Sequence, residues 1–160
     1  MRFSRVVLLA AVISTLGASS AFADITGFIG ANTTPGNRQT LGASIGMGLL
    51  MFGFEFEYAV TTEDPNAGAP SLKTGMANVL LQTPVPLGGF QPYFTIGAGL
   101  YSETLAEHSD TSFGTNLGGG VKVSLVGPLA LRVDYRVFNL GSGALYSPAH
   151  RIYAGLNLRF

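Results

Sequence analysis

Apolar and polar residues alternate along most of the chain. The clearest case is residues 51–59, where Phe52, Phe54, Phe56 and Tyr58 share one face and glycine and glutamate fill the other. Strict alternation over this length predicts a β-strand. The same pattern predicts eight strands, over residues 25–32, 39–48, 51–59, 74–83, 91–103, 112–124, 129–138 and 150–160. The first of these has apolar residues at both odd and even positions, so the pattern does not show which of its two faces is the apolar one.

The connections between the predicted strands alternate in length. Residues 48–51, 84–89 and 125–128 form short turns, whereas residues 61–73, 104–111 and 139–149 form longer, more polar loops, and residues 33–38 are the short member of that second group. Short turns at one end and long loops at the other are typical of outer-membrane barrels, with the long loops outside the cell. The pattern therefore predicts an all-β protein, an eight-stranded antiparallel up-and-down transmembrane β-barrel.

Composition bears on which face of the barrel is apolar. Charged residues make up 11% of the chain, the hydrophobic fraction is 47% and the mean hydropathy is +0.36. Many of the 22 glycines share a strand face with polar or charged residues. Glycine weakens a water-facing strand but makes room inside a narrow barrel. We therefore predict apolar residues toward lipid and polar residues in the lumen, with a soluble periplasmic ligand-binding barrel as the alternative.

The first residues have the pattern of a secretory signal peptide. Arg2 and Arg5 precede an apolar stretch over residues 6–16, and small residues at Ala21 and Ala23 fit a cleavage site. We expect residues 1–23 to be removed, leaving a barrel domain over residues 24–160 with both termini in the periplasm of a Gram-negative cell. Loss of the two arginines leaves seven bases against nine acids.

Several classes of function receive no support. The balanced charge of nine basic and nine acidic residues argues against a nucleic-acid partner. The chain has no cysteine and two histidines, so the sequence predicts no thiolate chemistry, metal site or cofactor.

Three segments resemble small outer-membrane β-barrel proteins, of the OmpA transmembrane-domain and OmpX-like, porin-family type. They are Pro92-Tyr93-Phe94-Thr95-Ile96-Gly97-Ala98-Gly99, the pair of late strands at residues 117–122 and 131–136, and the alternating C-terminal strand that ends in Phe160. The resemblance implies outer-membrane lipids as surroundings and a monomeric barrel. It also implies a C-terminal signal read by the barrel-assembly machinery, carried by Ile152, Ala154, Leu156, Leu158 and Phe160.

The predicted lumen contains acids and bases together. The expected network consists of Glu55, Glu57, Lys122, Arg132, Asp134, Arg136, Arg151 and Arg159, with Glu103 near the outer end. Charges in a narrow barrel must be paired or hydrated. The favoured interpretation is a structural plug, and the alternative is a gated ion path.

The overall prediction is a non-enzymatic envelope protein with a structural role, a surface-contact role or a narrow pore. The alternative is a lipid A-modifying barrel enzyme, an acyltransferase or deacylase, using His108, Ser109 and Asp110, or His150 near Ser147. We also expect aromatic girdles at the two membrane interfaces, with Phe52, Phe90 and Phe160 at the short-turn end and Tyr58 and Tyr101 at the long-loop end.

Overall fold

A computed structural model describes residues 22–160. Eight antiparallel strands, each paired with its neighbours in sequence, close into a barrel through the pairing of the first strand with the last. This confirms the predicted fold class. The strands are β1 Phe22–Asn32, β2 Arg38–Leu49, β3 Phe52–Thr61, β4 Ser71–Gln82, β5 Phe90–Leu105, β6 His108–Ser124, β7 Leu129–Asn139 and β8 Ala149–Arg159.

The residues before the barrel fall mostly outside this description. The predicted signal peptide over residues 1–23 lies outside the described residues except for Phe22 and Ala23, which belong to β1. Residues 22–160 contain no helix with the length and hydropathy to cross a membrane.

The alternation in sequence becomes an alternation between the outside and the lumen of the barrel. Along β3, Phe54 and Phe56 are more than half exposed on the outer surface, whereas Glu55 and Glu57 are buried inside. Ile45 on β2 pairs with Phe56 and is equally exposed. A soluble barrel would have the opposite arrangement, so the apolar outer surface fits a lipid environment.

Strand β1, whose facing the sequence left open, carries one aromatic residue inward. Thr26, Phe28 and Asn32 are buried in the lumen, whereas Ile25 and Ile29 are exposed on the outer surface. Phe28 stacks on Tyr153 with ring centroids 4.0 Å apart. The apolar residues at both parities are thus explained by an aromatic contact inside the lumen.

Glycine makes room for this large inward residue. A Cβ atom at Gly42, the register partner of Phe28, would lie 2.2 Å from Phe28 Cζ and 2.7 Å from the Tyr58 carbonyl oxygen. Such distances are too short for any side chain, so Gly42 permits the close approach of ring and backbone.

One predicted loop is wrong. Residues 104–111 were expected to form a long polar loop, but β5 and β6 continue pairing to Leu105 and His108, leaving only Ala106 and Glu107 at the turn. This hairpin extends past the end of β7, whose last partner on β6 is Thr115. Outside the membrane a strand needs no apolar face, so its polar sequence looked like a loop.

Most, but not all, of the predicted girdle residues lie on the outer surface of the barrel. Phe52, Phe90, Phe160 and Tyr58 are all half or more exposed on the outer surface. Tyr101 is buried in the lumen at 1% exposure, and its hydroxyl donates a hydrogen bond to Asp110 at 2.7 Å. Its assignment to a girdle was therefore wrong: Tyr101 alternates in phase with the buried residues Tyr93 and Thr95 of β5.

Candidate functional site

The middle of the lumen is filled by a cluster of charged side chains, which we call the central network. It consists of three acids and three arginines, all buried: Glu55 and Glu57 from β3, Arg132, Asp134 and Arg136 from β7, and Arg151 from β8. Residues two apart on a strand share a face, so each strand delivers its charges at successive levels of the barrel. Three positive and three negative charges make the network neutral.

Glu55 is the most heavily bonded acid of the central network. It accepts hydrogen bonds from Arg132, from Arg136 Nη2 at 2.9 Å, from Ser44 Oγ at 3.0 Å and from Asn78 Nδ2 at 3.3 Å. A buried carboxylate is stable when its lone pairs are satisfied in this way. Glu55 thereby joins β2, β3, β4 and β7 through the lumen.

Asp134 holds the two arginines that flank it on β7. Its carboxylate accepts from Arg132 Nη2 at 3.2 Å and from Arg136 Nε at 3.0 Å. The Tyr93 hydroxyl donates to Asp134 and accepts from Arg132 Nε at 2.7 Å. Arg132 therefore has two carboxylates and a phenol as partners, which fixes the orientation of its guanidinium group.

Glu57 completes the central network nearer the long-loop end. It forms ion pairs with Arg136 Nη1 at 3.1 Å and with Arg151, and it also accepts a 3.5 Å hydrogen bond from the Tyr153 hydroxyl. Arg151 in turn donates to Thr74 Oγ1 at 3.2 Å. The pairing of the lumen charges, which the sequence left undetermined, thus depends on contacts across the barrel.

Aromatic rings pack against the arginines of the central network. The guanidinium carbon of Arg132 lies 4.8 Å from the centre of the Tyr93 ring, and that of Arg151 lies 4.3 Å from the Phe138 ring. These contacts shield charge from water and add cation–π attraction. Sequence reasoning missed Tyr93, Phe138 and Tyr153 as network partners. Each of them nevertheless alternates in phase with the inward-facing residues of its strand.

Two predicted members of the lumen network lie apart from it, toward the short-turn end. Lys122 pairs with Asp24 at 2.5 Å rather than with the central acids. Arg159 donates to the Gln91 amide oxygen at 2.7 Å. Asp24 was not predicted, because it lies just before the predicted first strand, which begins at residue 25.

Apolar side chains pack together at the long-loop end of the lumen. Leu72, Met76, Tyr101, Phe138 and Leu140 form a buried hydrophobic cluster, joined by Ala144 and Ala149. Leu140 and Ala144 belong to the connection between β7 and β8, so this loop folds over the mouth of the barrel.

Two charged side chains hold the loops over this mouth. Glu103, predicted near the outer end, is buried and accepts from the Leu145 backbone N–H at 2.8 Å. Arg38, which sequence reasoning missed, donates to the carbonyl oxygen of Thr34 at 2.7 Å and to those of Pro70 and Thr62. Arg38 therefore connects the β1–β2 loop to the β3–β4 loop.

Two of the residues considered for an enzyme, His150 and Ser147, bond to groups other than each other. His150 Nδ1 lies 2.7 Å from the Tyr135 hydroxyl, whereas Ser147 Oγ bonds the backbone of Leu140. Ser109 and Asp110 are consecutive residues of β6, so their side chains lie on opposite faces. Within residues 22–160, no group of three or more metal-ligating side chains is present.

The residues of the predicted assembly signal lie along the lipid-facing side of the last strand. Ile152, Leu156 and Leu158 of β8 are exposed on the outer surface together with Ala154, and Phe160 follows the strand with 65% exposure. Their role in assembly stays a prediction.

The fold and its charged lumen define a small outer-membrane β-barrel. The sequence model of the outer membrane protein β-barrel domain matches residues 9–160, and the chain belongs to this family. Comparison with curated protein sequences gave no match.

Solved structures of similar architecture are distant in sequence. The N-terminal β-barrel domain of Pseudomonas aeruginosa OprF superimposes with a TM-score of 0.65 at 14% identity, covering 87% of this chain and 97% of that one. Neisserial surface protein A, NspA, gives 0.64 at 17% identity, covering 88% and 96%. The outer membrane enzyme PagL gives 0.52 at 14% identity, covering 86% and 98%. At these identities the likeness concerns the fold alone.

Proposed function

We propose that this protein is a non-enzymatic structural barrel of the outer membrane whose lumen is closed to ions. The observation that carries the proposal is the contact between Glu55 and Arg132 across the lumen, within a neutral network whose acids are all bonded to arginine. An ion path would require these pairs to separate and hydrate. Each separation leaves a buried charge without its partner, which costs about 3–5 kcal/mol.

Two further features support a closed lumen. On the long-loop side, Leu72, Met76, Phe138 and Leu140 pack into a buried apolar cluster, which provides unfavourable surroundings for an ion. On the other side, the cavity between Asp24, Lys122 and Glu55 measures about 10 Å³. That volume corresponds to about one water molecule. Both features oppose the passage of ions past the central network.

The partners of His150 and Ser147 support the non-enzymatic part of the proposal. Acyl transfer or deacylation needs a nucleophile within hydrogen-bond reach of a base. Instead, His150 is bonded to Tyr135 and Ser147 to backbone atoms. Lipid A from cells that produce the protein should therefore have an unchanged mass spectrum. A change that His108→Ala or His150→Ala abolishes would contradict the proposal.

We further propose the orientation expected for barrels of this kind. The short turns and both ends of the barrel domain face the periplasm, and the longer loops face outward. A cleaved signal peptide over residues 1–23 would export the chain, and the barrel-assembly machinery would insert it as a monomer among outer-membrane lipids. Protease added to intact cells should then cleave within residues 62–70 or 140–148 and leave residues 83–89 intact.

Planar-bilayer recording tests the closed lumen. The refolded protein should insert, as judged by heat-dependent mobility on a detergent gel, and yet show no single-channel steps. Glu63→Gln, which alters an exposed loop acid, is the matched control for Glu55→Gln. Conductance of the unmodified protein that changes in Glu55→Gln or Arg132→Gln, but not in Glu63→Gln, would show a pore and contradict the proposal.

A surface-contact role is the second candidate, favoured by the order of the outer loops. Arg38 and Glu103 hold three connections by bonds to backbone atoms. Loops held in this way present a fixed surface, which lowers the entropic cost of binding. If the protein is an adhesin, replacement of residues 62–70 or 140–148 abolishes cell-surface binding while the barrel still folds. Unchanged binding after both replacements would exclude this role.

A further inference from the structure

The short-turn end of the barrel contains an open cavity of about 630 Å³. Its mouth is formed by the turns between strands, and its floor by lumen-facing residues below the central network. This volume is within the range of about 300–1,000 Å³ typical of small-molecule sites. A second cavity of about 10 Å³ adjoins it beside Glu55, and Asp24, Gly48, Gln82 and Lys122 line both. Toward the long-loop end, the ion-paired side chains of the central network fill the lumen.

The floor of the pocket carries more positive than negative side chains. Lys122 and Arg159 line it together with one acid, Asp24. Asp24 is bonded to Lys122 at 2.5 Å. Arg159 has a neutral partner instead, the Gln91 amide oxygen at 2.7 Å, and forms no ion pair with a carboxylate within residues 22–160. The Arg159 guanidinium can thus bind an anion without breaking an existing ion pair.

The side chains at the mouth of the pocket are apolar. Leu50, Val85 and Phe160 line it, and each of these side chains is more than 60% exposed. Pro84, Pro86 and Pro128 contribute further apolar surface on the connecting turns. A charged floor beneath an apolar mouth is complementary to a molecule with an anionic head and an apolar body.

We propose that this pocket binds an amphiphilic monoanion, a medium-chain fatty carboxylate, with its head on Arg159 and its chain along the mouth. The guanidinium offers two parallel N–H donors to a carboxylate. Gln91, which now accepts from Arg159, also donates through Nε2 to the Thr83 carbonyl oxygen at 2.7 Å, so the amide is held in place beside the head. The proposal is independent of the closed lumen, because the pocket ends below the central network.

Binding of decanoate to the refolded full barrel in zwitterionic lipid nanodiscs tests this site. The readout is the chemical-shift change of the backbone amides of Gln82, Gln91 and Gly127 during titration. Decanol supplies the apolar chain without the charge, and acetate supplies the charge without the chain. We expect saturable shifts with decanoate at these amides and much smaller ones with decanol and acetate.

Substitutions assign the binding to the floor of the pocket. Arg159→Gln should weaken decanoate binding by roughly tenfold, because it removes a charged hydrogen-bonding partner. Asp24→Asn should tighten binding by roughly threefold, because it removes the one acid of the floor. Lys73→Gln, an exposed cation at the opposite end of the barrel, is the matched control and should change nothing.

Three results would overturn the proposal. The first is the absence of saturable shifts with decanoate, and the second is equal binding of decanol. The third is unchanged decanoate affinity in both Arg159→Gln and Asp24→Asn. If Arg159→Gln does not refold, Asp24→Asn still decides, since a pocket that does not recognise the anion would show no gain.

Discussion

Glu55 and Arg132 meet in the middle of the lumen from opposite walls of the barrel. Glu55 lies on β3 and Arg132 on β7, four strands apart in a ring of eight. Arg132 Nη2 is 3.3 Å from Glu55 Oε1, and Nη1 is bonded to the other carboxylate oxygen. The pair therefore acts as a cross-brace between strands that share no backbone hydrogen bonds.

Removal of this cross-brace should destabilise the barrel strongly. In Glu55→Ala, Arg132 and Arg136 lose a shared carboxylate while they stay buried. We expect the free energy of unfolding in urea, measured in detergent micelles or thin lipid vesicles, to fall by about 3–5 kcal/mol. Glu63→Ala removes an exposed loop acid and should change it by less than about 0.5 kcal/mol. Equal effects of the two substitutions would mean that the central network adds nothing to stability.

The close approach of Phe28 to Gly42 makes a second prediction. Gly42→Ala would place its Cβ 2.2 Å from Phe28 Cζ, so the ring and the strand would have to move apart. We expect a loss of about 1–3 kcal/mol in the free energy of unfolding. Gly27→Ala is the matched control, because its outward-facing Cβ would meet nothing within 4 Å. If Gly42→Ala unfolds at the same urea concentration as Gly27→Ala, Phe28 does not pack as described.

Arg38 should control the order of the outer loops without affecting the barrel. Arg38→Ala removes the donor that joins the carbonyl oxygens of Thr34, Thr62 and Pro70. We expect faster hydrogen–deuterium exchange in residues 62–70, with unchanged exchange in β3 and β7, because the strand hydrogen bonds are untouched. Lys73→Ala, which removes an exposed cation on β4, should leave both regions unchanged. Loop exchange that is the same in both variants would show that Arg38 does not hold the loops.

Much of the barrel could be predicted from alternation alone. All eight strands occur where the sequence indicated, with ends that differ by at most four residues. Where the membrane imposes an apolar outer face, the period of two is strict, as in β3. The β5–β6 hairpin beyond Thr104 escaped prediction because no membrane imposes that pattern there.

The site was predictable in its members but not in its contacts. The alternation of apolar and polar positions identified the acids and arginines of β3, β7 and β8 as inward residues. Which acid meets which arginine depends on side chains that cross the lumen, and sequence spacing contains no information on that distance. Asp24 and Arg38 were missed because each lies one residue before a predicted strand, where alternation does not assign a facing.

The central claim is a barrel with its apolar face toward lipid and its polar face inward, and spin-label accessibility tests it most directly. The chain has no cysteine, so each introduced cysteine is a unique label site. Ile45 and Ile96 point outward, whereas Ser44 and Thr95 are buried inward neighbours on the same strands. In lipid bilayers, labels at Ile45 and Ile96 should collide readily with oxygen and rarely with a water-soluble nickel chelate, and labels at Ser44 and Thr95 should be shielded from both. Ready collision of the nickel chelate with labels at Ile45 and Ile96 would contradict the account, because those faces would then be in water.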